Sequence, residues 1–451
     1  MTGGPGLDRR TLLASGAALV ATTTGVGAAA RVAASDFVTV RGTAFHRHGK
    51  RYRYAGANMW YAAWLGADTA YGDRARLGRE LDRLSALGIR NLRLLGSGEL
   101  SPLRNSITPA FRDKSSTYNA ALLGGLDWTL AEMARRDMTA VIYLTNFWEW
   151  SGGMMTYLYW VNGGRFINAN DPAHPWPEFA DWNAAFYRNG RAQAMYRDYI
   201  RAVVTRTNTV TGRSYATDPT IMAWQLANEP RPGGSDMVAL PNLPAFYRWI
   251  DGTARYIKAL DPHHLVCTGS EGLKGSIERE EVAVNAHRSP AIDYLTTHVW
   301  PGNWTWIDER DLAGGYDAGA AKVAEYVDTH IRLARQLNKP LVIEEFGYPR
   351  DGAHAYDPTI TTLYRDLFYR QIYSTIERDA AIAGPLSGTN FWAWTGEARA
   401  RHEDRRFQRG DLAYMGDPPH EPQGWYGVFD SDVSTQSVVR NHARALASLD
   451  G

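Results

Sequence analysis

The most informative stretch of this sequence is Ile221-Met222-Ala223-Trp224-Gln225-Leu226-Ala227-Asn228-Glu229-Pro230, an apolar strand-like run that ends in a carboxylate. A second run has the same character: Leu341-Val342-Ile343-Glu344-Glu345-Phe346-Gly347. Buried strands are poor environments for charged side chains. Two buried strands that end in glutamate therefore predict a shared opening at which two carboxylates meet.

Short apolar runs alternate with helical stripes along the rest of the chain, as expected for parallel strands that are covered by helices. A hairpin with its turn at His48-Gly49 is predicted over residues 37–54, before the first of eight buried strands. These strands end near residues 56–58 or span residues 91–95, 139–144, 221–226, 265–268, 294–299, 341–346 and 388–392. Eight strand–helix units predict an α/β fold, a (β/α)8 TIM barrel whose active site lies at the carboxyl ends of the strands.

A doubly wound sheet is the rival architecture. It usually carries a G-x-G-x-x-G turn after its first strand, and this sequence has none there. No Pro/Ser-rich linker and no short repeat divides residues 36–451, so we predict one catalytic domain. Two long loops are predicted at residues 146–189 and 230–244. On the catalytic face, such loops would determine substrate specificity.

Residues 1–35 have the features of an export signal. Asp8-Arg9-Arg10-Thr11-Leu12-Leu13 contains twin arginines, and the 20 residues from Thr11 to Ala30 are uncharged. The pattern predicts a twin-arginine-type signal and a secreted, extracellular protein. A membrane anchor is the alternative, because 20 residues just span a bilayer. Four threonines, one serine and three glycines make the segment weakly apolar, which favours the signal.

The composition limits the classes of partner. Hydrophobic residues make up 44% of the chain and charged residues 22%, as in ordinary soluble proteins. The net charge is +1, which argues against nucleic acid or an anionic membrane as a partner. Cys267 is the only cysteine, so it cannot form an intrachain disulfide, and we expect a small buried hydrophobic residue there. We expect a monomer without stable membrane association once the signal is removed.

Glu229 and Glu345 are the principal candidates for catalysis. Two facing carboxyls are the groups that cleave glycosidic bonds, one as acid/base and one as nucleophile or base. Pro230 is predicted to hold Glu229 in an extended conformation. Strand alternation places Glu344 and Glu345 on opposite sides of their strand, so that one of them faces the barrel lumen.

Two further polar residues interrupt apolar strands. Arg93, in Asn91-Leu92-Arg93-Leu94-Leu95, requires a partner, and an ionised nucleophile would be suitable. His298 lies in the strand-like run Thr296-Thr297-His298-Val299-Trp300. The sequence has no H-E-x-x-H motif, cysteine pair or carboxylate cluster with metal spacing, so we predict no catalytic metal and no cofactor.

These motifs together resemble glycoside hydrolase family 5, most closely its endo-β-1,4-mannanase subfamily. The resemblance follows chain order through Gly56-Ala57-Asn58-Met59-Trp60-Tyr61, Arg93, Asn146-Phe147-Trp148-Glu149-Trp150-Ser151-Gly152-Gly153, Trp224–Arg231, His298 and Glu344-Glu345-Phe346-Gly347. It implies that Glu229 is the acid/base, that Glu345 is the nucleophile and that Arg93 supports Glu345. The resemblance further implies that Asn228 contacts the sugar 2-hydroxyl and that Arg231 contacts the sugar on the leaving-group side. It implies that Trp392 is a stacking platform for the cleaved sugar. The other expected substrate-binding residues are His298, Trp60, Trp148 and Trp300, of which the tryptophans line the cleft.

Trp300 is the main departure from the family pattern. The family usually has tyrosine two residues after the histidine, where it donates a hydrogen bond to the nucleophile. An indole N–H also donates one hydrogen bond, although it cannot accept one or titrate. The change is therefore expected to preserve the mechanism.

The resemblance implies a retaining enzyme that cleaves β-1,4-mannosidic bonds within β-mannan or a related plant-type polysaccharide, and the predicted signal implies that it is secreted. Its alternatives are a β-glucanase, an exo-acting β-mannosidase or mannobiohydrolase on the same barrel, and a non-catalytic carbohydrate-binding barrel. The matched pair of carboxylates argues against the non-catalytic alternative, because a binding protein does not require it.

Overall fold

A small antiparallel sheet precedes the barrel. Its strands are β1 (Thr39–Arg41), β2 (Ala44–Arg47) and β3 (Lys50–Tyr52). The predicted turn at His48-Gly49 joins β2 to β3, and both residues have positive φ. The structure adds β1 as a third strand. Phe45 of β2 packs edge-on against Tyr294 in a buried cluster that also contains Cys267, which is a free buried residue as the sequence predicted.

The computed structural model describes residues 1–3, 33–352 and 354–449. Ala33–Gly451 forms one compact unit. The core of the predicted export signal, including Arg9 and Arg10, lies outside the described residues. Among the described residues, no helix combines the length and apolar character needed to cross a bilayer.

Eight parallel strands form the barrel, which confirms the predicted fold. The strands are β4 (Tyr54–Asn58), β5 (Asn91–Leu95), β6 (Thr139–Tyr143), β7 (Ile221–Gln225), β8 (Leu265–Cys267), β9 (Leu295–Val299), β10 (Leu341–Phe346) and β11 (Leu386–Phe391). They are ordered β8-β7-β6-β5-β4-β11-β10-β9. The Asp293 amide donates to the Val266 carbonyl at 2.8 Å, and the His298 amide donates to the Glu271 carbonyl at 3.2 Å. These bonds join the β8 and β9 edges and close the barrel.

Helices cover the outside of the barrel. They are α1 (Ala62–Gly66), α2 (Arg74–Ala86), α3 (Ala120–Ala134), α4 (Gly153–Val161), α5 (Glu178–Asn183), α6 (Gly190–Val204), α7 (Asp236–Leu260), α8 (Glu280–His287), α9 (Leu312–Leu337), α10 (Leu363–Ala381) and α11 (Val433–Leu449). In the described part of the chain, short 3₁₀ helices span Ala34–Asp36, Glu149–Ser151, Ala184–Arg188, Tyr215–Thr217 and Lys274–Ser276. After β11, the short strands β12 (Trp394–Gly396) and β13 (Val428–Phe429) pair with each other across a long connection.

The two predicted long loops contain more helix than the sequence suggested. The first includes α4 and α5, and most of the second is the start of α7. Pro241 and Pro244 favoured a loop, because proline removes a helical hydrogen bond. The helix nevertheless forms, because the Ser235 side chain caps its N-terminus and apolar side chains such as Phe246 bury one face. The loop prediction for residues 230–244 was therefore wrong beyond Ser235.

Two buried histidines should make the fold sensitive to acid. The Nδ1 atom of His330 lies 2.6 Å from the Tyr326 carbonyl, and Nε2 accepts from the Leu273 amide at 3.0 Å. These partners require one neutral tautomer. Burial lowers the pKa of His330, and likewise that of His287, to about 4. Unfolded histidine binds protons below about pH 6.5, so stability is complete above that pH and declines towards pH 4, by roughly 3 kcal/mol per histidine.

We therefore expect His330→Gln to lose less thermal stability than the parent on acidification from about pH 7 to about pH 4.5. Glutamine offers one donor and one acceptor and does not titrate. Calorimetric unfolding midpoints at the two pH values measure the difference. An equal decrease in the parent and the variant would show that other groups govern acid stability.

Candidate active site

The two candidate carboxylates meet at the carboxyl ends of the strands. Glu345 is the fifth residue of β10, and Glu229 lies four residues beyond the end of β7. One oxygen of each carboxylate and one ring nitrogen of His298 lie within 4.8 Å of one another. Glu229 is 7% exposed and Glu345 is 3% exposed. This approach of the closest oxygens is compatible with the roughly 5–5.5 Å carboxyl separation of retaining glycosidases.

Glu229 does not have the extended backbone that Pro230 predicted. Its φ is +51°, in the left-handed region. The chain beyond β7 bonds to both neighbouring strand ends: the Asn228 amide donates to Thr145 and the Glu229 amide donates to Gly269, each at 2.9 Å. These opposed contacts hold a conformation that costs about 1–3 kcal/mol for a residue other than glycine. The backbone strain is located at the candidate acid/base.

Arg93 is the centre of a buried hydrogen-bond network. Its Nη1 donates to Glu345, its Nη2 donates to Asn228 at 2.6 Å, and its Nε donates to Gln225 at 2.9 Å. The guanidinium lies over the ring of Tyr143. The predicted partnership between Arg93 and Glu345 is therefore present, and the same guanidinium also orients Asn228.

The prediction that strand alternation separates Glu344 from Glu345 was wrong. The pairing of β10 with β9 has a register irregularity between Ile343 and Glu345. Both carboxylates reach the same buried network, because Glu344 lies 3.9 Å from Arg93 Nε and 3.5 Å from His298 Nε2. Gln225 also donates to Glu344. The site thus contains one more buried carboxyl than the sequence analysis placed there.

His298 bridges the two candidate carboxylates. Its Nδ1 lies 2.5 Å from Glu229 Oε1 and 3.2 Å from Glu345 Oε2. Burial opposes the charged ring, but the charge of Glu345 and the bonds to Glu229, Glu344 and Glu345 raise the pKa of His298 well above its usual value. Burial also opposes ionisation of Glu229, but bonds and charges from His298, Arg231 and Trp148 lower its pKa.

Glu229, His298 and Glu345 are close enough to share a cation. Arg93 and a protonated His298 already supply positive charge to both carboxylates. Because a protonated imidazole has no free lone pair for a metal, the donor set fits a proton network better than a metal site.

Trp300 takes the place of the family tyrosine. Its Nε1 lies 3.3 Å from Glu345 Oε2 and donates to it. The indole packs edge-on against Trp392 and Tyr426. A Cβ atom at Gly347 would lie 2.5 Å from the indole, so glycine is required beside this larger ring.

Trp148 and Arg231 lie beside Glu229. Trp148 Nε1 donates to Glu229 Oε2. Arg231 donates to Glu271 through Nε at 2.6 Å and Nη2 at 2.7 Å, and its guanidinium lies over the rings of Trp148 and Trp176. Two donor groups that were expected to face a sugar are thus occupied by a neighbouring carboxylate.

A cavity of about 620 Å³ opens above these residues. Both predicted catalytic residues and most of the expected substrate-contacting residues line it: Glu229, Glu345, Trp148, Asn228, Arg231, Trp300 and Trp392. Arg93 and His298 lie beneath its floor and contact the carboxylates from there. Trp60 was predicted to lie in the cleft, but it does not line the cavity. It is 1% exposed, donates from Nε1 to the Gly416 carbonyl and packs against Trp150, so it supports the cavity wall from behind.

Three neighbouring ionisable residues in the cavity lining were missed by the sequence analysis. His420 lies 3.7 Å from Glu149 and 3.8 Å from Glu421, and all three line the cavity. Among the described residues, both carboxylate oxygens of Glu149 and Oε2 of Glu421 are buried without a hydrogen bond. Burial raises the pKa of Glu421 to about 7. We call Glu149, His420 and Glu421 the polar wall.

The loop that carries His420 and Glu421 is held by a buried aspartate. Asp417 accepts hydrogen bonds from the amides of Gly424, Tyr426 and Gly427. Gln423 donates to the carbonyls of the same loop. No periodic sequence pattern identifies such a loop. Glu271, by contrast, follows the end of β8 as Glu229 follows the end of β7, so the pattern that identified Glu229 also identifies Glu271.

The chain is similar to known glycoside hydrolases. A family described as GH family 5 beta-mannosidase-like matches residues 35–450. A mannan endo-1,4-beta-mannosidase 4 from Oryza sativa subsp. japonica is 28% identical over 443 residues, with 94% of this chain and 84% of the relative covered. A glycoside hydrolase family 5 mannosidase from Rhizomucor miehei is 33% identical, with 93% and 99% covered and a TM-score of 0.84. A mutant mannosidase of that family from the same organism, in complex with mannosyl-fructose, has the same identity, coverage and TM-score.

Proposed function

The chain belongs to glycoside hydrolase family 5, in its β-mannosidase-like group, and we propose that it hydrolyses β-mannosidic bonds with retention of configuration. The observation that carries this proposal is the pair Glu229 and Glu345, whose oxygens approach within 4.8 Å at the mouth of the barrel. This close approach supports a retaining mechanism, in which the two carboxyls lie nearer to each other than in inverting enzymes.

Each residue has a role in a double displacement. Glu229 donates a proton to the glycosidic oxygen while a Glu345 oxygen attacks the anomeric carbon and displaces the leaving group. Glu229 then takes a proton from water, whose oxygen attacks the same carbon and releases Glu345. Arg93 and Trp300 orient Glu345 and stabilise its charge, and Asn228, held by Arg93, faces the sugar.

We further propose that the enzyme removes mannosyl units from chain ends. The polar wall supports this exo-acting alternative to the endo action that the sequence favoured. Its unpaired buried oxygens require donors, and sugar hydroxyls supply them. The similar mannosidase from Rhizomucor miehei forms a complex with mannosyl-fructose, a ligand that carries a single mannosyl unit.

The product pattern tests this proposal. We expect mannohexaose to yield mannose and mannopentaose as its first products, whereas endo cleavage would release mannobiose and mannotriose. Chromatography of early time points separates the two cases, and cellohexaose serves as the control for the sugar backbone. Early mannotriose would contradict exo action, and faster cleavage of cellohexaose would contradict the mannoside assignment. Release of an initial β-anomer, observed by NMR, tests retention.

We also propose that the protein is exported through the twin-arginine motif. Changing both Arg9 and Arg10 to lysine should block export, because this motif is recognised by a receptor and lysine preserves only its charge. Arg31→Lys is the matched control, since it makes the same change outside the motif. Immunoblots of the extracellular fraction measure the result. Normal export of the double variant, or a membrane-bound product that retains residues 1–30, would contradict the proposal.

A further inference from the structure

The ion pair between Arg231 and Glu271 lies beside Glu229 but has no role in the double displacement described above. The pair is bidentate, with both contacts at 2.6–2.7 Å, and Glu271 is buried. Arg231 follows the acid/base by two positions, and its guanidinium lies over two indole rings, one of which belongs to Trp148. Trp148 also donates to Glu229. The ion pair is thus fixed directly against the candidate acid/base.

The charges around Glu229 show why such a pair matters. The titratable and charged groups that face it are His298, Glu345, Arg231, Glu271, Tyr143 and His420. Arg231 and His298 favour the ionised form of Glu229. A general acid must instead hold its proton until the glycosidic bond breaks. An uncompensated Arg231 would therefore oppose the first step of the reaction.

We propose that Glu271 is a positioning residue, which neutralises Arg231 and thereby keeps enough proton affinity on Glu229 for general acid catalysis. The inference rests on the proposed function of Glu229. It also gives Arg231 a role other than the expected contact with the leaving-group sugar, because Glu271 occupies two of its donor groups.

Opposite shifts in the pH profile test this inference. The alkaline limb of kcat/KM reports the loss of the general-acid proton in the free enzyme. With mannobiose as substrate, Glu271→Gln should move this limb down by about one pH unit, because the charge of Arg231 then stabilises ionised Glu229. Arg231→Gln should move it up by about one unit for the reverse reason. The double variant should return close to the parent.

Arg231→Lys is the matched control, because it retains the charge and should leave the limb in place. Shifts of the same sign in both single variants, or a lower rate with no shift, would overturn the inference. If the parent does not cleave mannobiose, the proposed function fails by itself. The inference is then decided by the ¹³C carboxyl resonance of Glu229, assigned by its disappearance in Glu229→Gln, which should titrate with the same opposite shifts.

Discussion

Replacing Glu345 by alanine should lower kcat on mannosides by roughly 10⁴-fold or more, since covalent catalysis is lost together with its nucleophile. The geometry supports this magnitude. Arg93 and the Trp300 N–H each donate a hydrogen bond to one oxygen of Glu345 and so position it for attack. In the alanine variant these donors have no carboxylate to position. Initial rates on mannobiose and on an aryl β-mannoside should fall together.

The stereochemistry of azide rescue identifies the role of Glu345. In the Glu345→Ala variant, azide can attack only from the face that the carboxylate vacates, so the expected product is the α-mannosyl azide. Near-ultraviolet circular dichroism controls for folding. A β-mannosyl azide from this variant would show that the roles of Glu229 and Glu345 are reversed, and near-parental activity would remove Glu345 from the mechanism.

Replacing Glu229 by alanine should have an effect that depends on the leaving group. The loss of general acid catalysis should lower the rate on mannobiose by roughly 10²–10⁴-fold, because its sugar leaving group must be protonated. A dinitrophenyl mannoside leaves without protonation and should form the glycosyl-enzyme at a rate close to that of the parent. The intermediate should then accumulate, since no base activates water.

Azide provides the matching test for Glu229. It attacks the accumulated intermediate without a general base, so it should restore turnover and yield the β-mannosyl azide. Equal losses on mannobiose and on the dinitrophenyl substrate would show that Glu229 supports binding or folding rather than proton transfer. The two alanine variants therefore predict azides of opposite configuration.

The part of the site that could be predicted lies on the strands. Glu229, Glu345, Arg93 and His298 interrupt or follow apolar runs, and the closure of a parallel barrel brings such positions together whatever the connecting loops do. The periodicity that identifies a strand thus also locates these side chains. This is why the fold and the central network were accessible from a single sequence.

The remaining parts depend on contacts that leave no periodic signal. Trp60 resembled a cleft residue, but the Gly416 carbonyl binds its indole beneath the cavity. The left-handed φ of Glu229 results from bonds to two neighbouring strand ends, which local sequence rules for Pro230 do not include. The polar wall is assembled from two loops that are distant in sequence, Glu149 in one and His420 with Glu421 in the other.

The loop held by Asp417 offers a route by which evolution can change the size of the products that such an enzyme releases. It lies between β12 and β13, outside the eight strands that carry the catalytic pair, and its shape is fixed by its own hydrogen bonds. A preformed pocket loses little conformational entropy when it receives a sugar. If the polar wall limits the reaction to chain ends, exchanging this one segment removes His420 and Glu421, two of its three residues, and favours cleavage within polymers. Such a modular change would leave the chemistry of bond cleavage intact.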